Sequence, residues 1–402
     1  MAGQAVGSWT LSRRGLLATA ATSLLAACGR TEVPGVRRPE NPELVIGANL
    51  ELTGVGRFMG LLQERSLRIM ADTLNEAQVP VGNLRRTIRL VIRDNKSNPR
   101  VAADQTAELA TRENVHAIVG GCLAETSLRI IPAAEEHQVP FISFAAADNL
   151  TTPLSERTYI YKLAPDARDM ARALGALIRS QKLQRVGLLA AAGPHGDSGL
   201  RAVTAALESN DRTLVATARL PRAEGADCGP AAERVVVQSP DAVIIWGTSP
   251  FAGAAARAVR DTGYTGALFF DAGAVSEELL DERNSPAVEG AYAVHPISLS
   301  GSSLTNTTTA GLARRDFVYR YIHEHGAFSG FAPYGADAVR LIADAARLGK
   351  SVDRGRIRAY LATQVVEGIA GAYSFSPIWH GGMAPDFLGV FTVSNGAWSR
   401  VS

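Results

Sequence analysis

The sequence predicts an α/β protein built on parallel sheets with helices on both faces, and three observations carry that expectation. From Leu44 onward, short apolar runs alternate with amphipathic stretches of helical length. The runs are compact and bounded by Gly, Pro or Asp, as strands buried on both faces are. The chain of 402 residues exceeds one ordinary domain and suits two, each with its own core.

"LVIGANL" (44–50) reads as the first strand. In "LLQERSLRIMADTLNEA" (61–77), Leu62, Leu67, Ile69, Met70 and Leu74 fall on one face at 3.6-residue spacing, which predicts a helix. "TIRLVIRD" (87–94) alternates apolar and polar positions, and Asn98-Pro99 can start the helix that follows. "VHAIVGG" (115–121), "VPFISFA" (139–145), "VGLLAAA" (186–192), "DAVIIWG" (241–247) and "GALFFDA" (266–272) continue the series. A βαβα rhythm implies right-handed crossovers and helices on both sheet faces. In such sheets ligands bind beyond the carboxyl ends of the strands. The segments to read for function are therefore "ELTGVGRF", "GGCLAETS", "AAADN", "AGPHGDSG", "GTSPF" and "DAGAV".

Arg13 and Arg14 account for the whole formal charge of +2, and the remainder of the chain is balanced. With no basic stripe, nucleic acid is excluded as a partner. Hydrophobic residues make up 46% and charged ones 20%, the proportions of a globular chain. Beyond Cys28 only Cys122 and Cys228 remain. They are either one long-range disulfide or two unpaired thiols, and their spacing fits no metal site.

"LSRRGLLATAATSLLAACGR" joins a twin arginine, an apolar run from Gly15 to Ala27 and a cysteine. The run is too short to span a bilayer of about 30 Å as a helix. "SRRGLL" resembles a Tat-type signal and "LAAC" a bacterial lipobox, which makes residues 1–28 a signal peptide ending at a lipidated Cys28. Residues 29–43, polar and containing three prolines, read as a tether.

"AGPHGDSG" (192–199) tempts a hydrolase reading. His195, Asp197 and Ser198 sit within one turn, where a Ser-His-Asp relay cannot easily be arranged. Gly196-Asp197-Ser198-Gly199-Leu200 fails G-x-S-x-G at its last position, and no Walker lysine follows. The expectation is instead that Asp197 or Ser198 caps the next helix, and that the protein is not an enzyme.

Five segments in order, "IGANLELTGVGRFMG" (46–60), "IVGGCLAETSLRIIPAAEEHQVPFISFAAA" (118–147), "PDAVIIWGTSP" (240–250), "FAPYGADAVRLIADAARLG" (331–349) and "GIAGAYSFSP" (368–377), give the chain a resemblance. It resembles the type I periplasmic binding proteins of the branched-chain amino acid (leucine/isoleucine/valine-binding) family, the solute receptors of ABC importers. The resemblance implies two doubly wound parallel-sheet lobes joined by a three-segment hinge, closing on a solute between them. Lobe one would be 44–162 plus 294–372, and lobe two 163–293 plus 376–402. The crossings would lie near "YKLAPD", "AYAVHPIS" and "AYSFSP".

Carried over position by position, the resemblance puts the family's carboxylate-binding serine at Ala124 and its threonine at Ala147. A tyrosine becomes His195, another Thr248, and the ammonium-binding glutamate falls at Ala272, beside Asp271. Phe58 keeps the first-lobe aromatic. The expected ligand-binding set is Phe58, Ala124, Glu125, Ala145, Ala147, His195, Thr248, Asp271 and Ala272. Two alanines in place of two hydroxyls argue against a zwitterionic branched-chain amino acid, because a buried charge left unpaired is costly. The expected solute is partly apolar or aromatic, packed near Phe58, Phe144, Trp246 or Phe251. His195 makes its binding pH-dependent near neutrality. The implied partners are that small molecule, ABC permease and ATPase subunits and, through the lipid, the cell membrane, in a periplasmic or cell-surface setting. The chain is expected to be a monomer with no cofactor and no metal. A sensing module that presents the solute to a signalling partner is the alternative.

Overall fold

A computed structural model describes residues 43–401 except 222, 224 and 304–307. The expected signal peptide, and all of the tether but Glu43, lie outside the described residues. The first lobe starts with β1 (Glu43–Leu50), α1 (Arg57–Glu76), β2 (Thr87–Asp94) and α2 (Pro99–Thr111). It continues through β3 (Ala117–Gly120), α3 (Ala124–Glu136), β4 (Phe141–Ser143) and β5 (Ile160–Lys162). The strands are all parallel, in the order β2-β1-β3-β4-β5.

The second lobe takes α4 (Ala167–Ser180), β6 (Arg185–Ala190), α5 (Pro194–Glu208), β7 (Thr213–Arg219) and α6 (Gly229–Val236). β8 (Ala242–Trp246), α7 (Phe251–Asp261), β9 (Ala267–Phe270) and β10 (Tyr292–Pro296) follow. The chain then returns to the first lobe for α8 (Thr309–His325), α9 (Ala332–Gly349), α10 (Arg354–Leu361) and the hairpin β11 (Val365–Glu367) to β12 (Ala372–Ser374). β13 (Leu388–Ser394) and β14 (Ala397–Arg400) close the second sheet antiparallel, giving the order β14-β13-β10-β9-β8-β6-β7.

Each sheet is covered on both faces, as doubly wound sheets are. β1 sends Leu44, Ile46, Ala48 and Leu50 into a core with α1, α8 and α9, and Val45 into the opposite core with α2 and α3. The period of two in the sequence is what divides them. β8 behaves likewise, with Val243 and Ile245 against α6 and α7, and Ile244 and Trp246 against α4 and α5. α2 begins where expected: Asn98 Oδ1 accepts the backbone N–H of Arg100 at 2.9 Å, with Pro99 in the first turn.

The chain passes between lobes after Lys162, after Pro296 and after Ser374. The expected division at 293/294 falls inside β10, all of which pairs with β13 of the second sheet. Lys162, fully buried, pairs with Asp166 and lies 3.7 Å from Asp148 Oδ1. A buried ammonium with two carboxylate neighbours fixes the first crossing, since either charge left alone would be strongly destabilising. The backbone N–H of Lys162 donates to His380 O at 3.1 Å, and the His380 ring stacks on Tyr161 at 4.4 Å. These contacts tie the first and third crossings together. The second crossing strand buries His295, whose Nδ1 faces Pro296 O at 3.1 Å while Nε2 has no partner. Burial holds its pKa down, at about 4. Cys122 and Cys228 are free and buried, one in the core of each lobe.

Candidate functional site

Within each lobe the strand order is that of an open sheet that reverses direction between its first and third strands. The carboxyl ends of β1 and β3 in one lobe, and of β6 and β8 in the other, are therefore the topological switch points where crevices open. A cavity of about 290 Å³ lies where these ends meet. Its wall includes Met59 after β1, Leu123 and Ala124 after β3, Ala191 and His195 after β6, and Thr248 after β8.

On the first-lobe side the floor is built on Glu51, which is fully buried just past β1. Its carboxylate accepts the Cys122 backbone N–H at 3.0 Å, the Cys122 thiol at 2.9 Å, Asn95 Nδ2 at 3.2 Å and the Thr126 hydroxyl. This network holds the β3–α3 turn in place. Burial, reinforced by the Glu51 charge, pushes the Cys122 thiol well above the usual range. α3 starts at Ala124 behind an extended Leu123 with no side-chain cap, so the helix presents backbone N–H groups at the wall. Glu125 half-lines the cavity and makes no ion pair among the described residues.

On the second-lobe side the wall is the start of α5. The expectation that Asp197 or Ser198 caps this helix is corrected: the cap is Gly193, four residues before Asp197, with Pro194 in the first turn. Asp197 and Ser198 therefore lie inside the helix. Asp197 pairs with Arg219 at 2.6 Å, and Ser198 Oγ accepts the Asp148 N–H of the first lobe at 3.3 Å. Two glycines let the helix come this close. A Cβ on Gly196 would lie 1.7 Å from Ala191 O, and one on Gly199 would lie 2.3 Å from the Trp246 ring.

His195 is thereby fixed at the cavity, with Nε2 3.1 Å from Asp271 Oδ2. Asp271 is fully buried, and its other bonds are to the N–H of Gly247 (2.9 Å, Oδ1) and of Gly273 (2.9 Å, Oδ2). With its partners already supplied by the fold, this carboxylate orients the imidazole of His195 at the cavity wall.

Of the nine expected site residues, Ala124, Glu125, His195, Thr248 and Ala272 line the cavity and the other four do not. Asp271 stands behind His195. Phe58 turns outward under the Arg57 guanidinium, 4.9 Å above its ring, and Met59 faces inward instead. Ala145 and Ala147 point into the core beneath α2 and α3, while the intervening Ala146 lines the wall. One residue changes direction by about 100° on a helix and reverses face in an extended segment. Among the expected aromatics Phe144 and Phe251 line the cavity, whereas Trp246 is fully buried behind Gly199.

The sequence reading missed Gln63, Phe331, Tyr334, Leu220 and Pro221. Gln63 left one signal, as a polar residue beside Leu62 in an otherwise apolar helical stripe. Phe331 and Tyr334 enter from a helix that is distant in sequence, and nothing local marks them.

Two doubly wound lobes of the same strand order, crossed three times and enclosing a cavity at paired switch points, define a hinged binding protein. A family model described as periplasmic binding protein matches residues 43–397, and the chain belongs to that family. Among solved structures, an extracellular ligand-binding receptor from Rhodopseudomonas palustris HaA2 superposes with a TM-score of 0.80 at 23% identity, over 89% of this chain and 99% of that one. A branched-chain amino acid transporter substrate binding protein from Streptococcus pneumoniae, in complex with isoleucine, gives 0.77 at 23% over 89% and 99%. A solute binding protein of an ABC transporter from Rhodopseudomonas palustris BisB5, in complex with 3,4-dihydroxy benzoic acid, gives 0.77 at 17% over 90% and 96%. No curated protein sequence matches the chain at a significant level.

Proposed function

We propose that the protein is the solute receptor of an ABC importer and that it closes on a small, amino-acid-like or partly apolar, aromatic organic molecule. The observation that carries this reading is the cavity itself. It is walled by both lobes, mainly by apolar side chains, and no Lys or Arg among the described residues lines it. A volume near 290 Å³ is at the small end for ligand sites and suits a solute of one ring or one branched chain. Two neighbours of the same fold hold molecules of that size, isoleucine in one and dihydroxybenzoic acid in the other.

With a methyl group at Ala124, and Ala146 at the wall in place of the core-facing Ala147, neither position offers a hydroxyl to pair an amino-acid carboxylate. The reading therefore favours the aromatic or apolar class, with Ala124, Glu125, His195, Thr248 and Ala272 contacting the solute. A thermal-shift panel tests it. At a hundredfold excess over Kd, a true ligand stabilises by about 2.7 kcal/mol, which raises the midpoint by several degrees. Small aromatic acids are expected to do this; strong stabilisation by leucine, isoleucine or valine and by nothing else would sink the preference.

The same reading places the chain outside the cytoplasmic membrane, held by lipid on Cys28. No helix among the described residues is long and apolar enough to cross a membrane, so retention there would depend on the acyl anchor. Mass spectrometry of the mature N-terminus is expected to show diacylglycerol on Cys28, and an unmodified residue 28 removes the anchor.

A further inference from the structure

Gln63 lies one helical turn beyond Met59 on α1 and lines the cavity. It has no exposed surface, and neither Nε2 nor Oε1 has a hydrogen-bond partner among the described residues. Buried amides are nearly always paired, and an unpaired one destabilises the fold that carries it. Nothing in its surroundings relieves this. α9 packs directly against α1 there, and a Cβ on Gly335 would lie 2.6 Å from Gln63 O. Tyr334, the neighbouring residue on α9, also lines the cavity, and its hydroxyl has no hydrogen-bond partner among the described residues. The first-lobe side of the cavity thus carries an idle amide and an idle phenol. Met59 and Phe331 flank them.

We propose that Gln63, with Tyr334, is a specificity subsite that receives an uncharged hydroxyl or carboxamide of the solute on the first-lobe side of the cavity, His195 being on the second-lobe side. This rests on the solute-receptor reading and deepens it. The amide offers one acceptor and two donors, so it complements a group that both donates and accepts. No Lys or Arg among the described residues lines the cavity, so an anionic group beside Gln63 and Tyr334 would find no guanidinium or ammonium among them. A site built to hydrogen-bond such a group rejects the analogue that lacks it, because its own polar atoms are then left unpaired.

The test uses the full chain with benzoate, 4-hydroxybenzoate and 4-carbamoylbenzoate as probes, and Gln63→Met with Gln63→Leu as a second variant. In the parent, both substituted probes are expected to bind at least tenfold more tightly than benzoate, and the stronger of the two tells hydroxyl from carboxamide. In the variants that ratio should fall to near one, while the unliganded melting point stays level or rises because the idle amide is gone. A variant that keeps the ratio, or a parent that shows none, overturns the subsite. So does a fall of several degrees in the unliganded melting point of both variants, which would make the amide structural. If no probe shifts the parent, the aromatic class proposed for the ligand fails, and the unliganded melting points still judge Gln63.

Discussion

Replacing Asp271 with alanine is expected to cost about 3 kcal/mol of stability and to abolish tight solute binding. The side chain is fully buried and accepts the N–H groups of Gly247 and Gly273 as well as His195 Nε2. Removing it leaves two buried backbone donors without partners, at roughly 1–3 kcal/mol each. It also releases the His195 imidazole, at the cavity wall, from the orientation that Asp271 gives it. Asp271→Asn keeps one acceptor but turns a donor toward an N–H, so it should fall between the parent and the alanine variant. Urea unfolding and binding of the best probe from the panel measure both effects. A loss under about 1 kcal/mol for the alanine variant would show that the loops hold themselves and that Asp271 does not organise the site.

The second large effect is in acid. His295 titrates near 4 in the folded chain because burial disfavours its charged form; released, it titrates near 6.5. As pH falls from about 6.5 to 4 the unfolded chain takes up a proton that the folded chain refuses, so stability drops by about 3 kcal/mol from this group. Asp337 works the other way. Burial raises its carboxyl to about 6, despite bonds from the Ile369 and Ala370 N–H groups and the Tyr373 hydroxyl. Between about 6 and 4 the folded chain holds a proton there that the unfolded chain has shed, and stability rises on acidification. In the parent the two largely offset each other. In His295→Met the His295 contribution is gone while that of Asp337 stays, so the variant should gain about 3 kcal/mol relative to the parent between pH 7 and pH 4. Parallel pH profiles for the two chains would mean that His295 is not held neutral.

What the sequence made legible follows from periodicity. The apolar run of β1, the strand at "TIRLVIRD", the stripe of α1 and the Asn98-Pro99 start of α2 are local patterns set by burial and capping, and the structure has each of these elements. The start of α5 was legible too, because Pro194 belongs in a first helical turn; attention to Asp197 and Ser198 as caps hid it. The site was harder because facing direction changes with every residue. Phe58 and Ala147 were placed by alignment to relatives, and an error of one position rotates a side chain out of the cavity. Gln63, Phe331 and Tyr334 depend on how α1 and α9 pack, which no stretch of the sequence reveals alone.

The two cysteines carry a practical consequence. Burial holds both thiols above their ordinary pKa, with the Glu51 charge adding to the effect at Cys122 and the Asp227 charge at Cys228. Alkylating reagents attack the thiolate, so neither residue reacts while its surroundings stay closed. Cys228 sits in the core of the second lobe, and Cys122 in that of the first at the cavity wall, where a bound solute covers it directly. Timed alkylation read by peptide mass therefore works as a pair of stopwatches, one per lobe. It can tell a solute that stiffens the whole molecule, slowing both thiols, from one that slows only the Cys122 it covers.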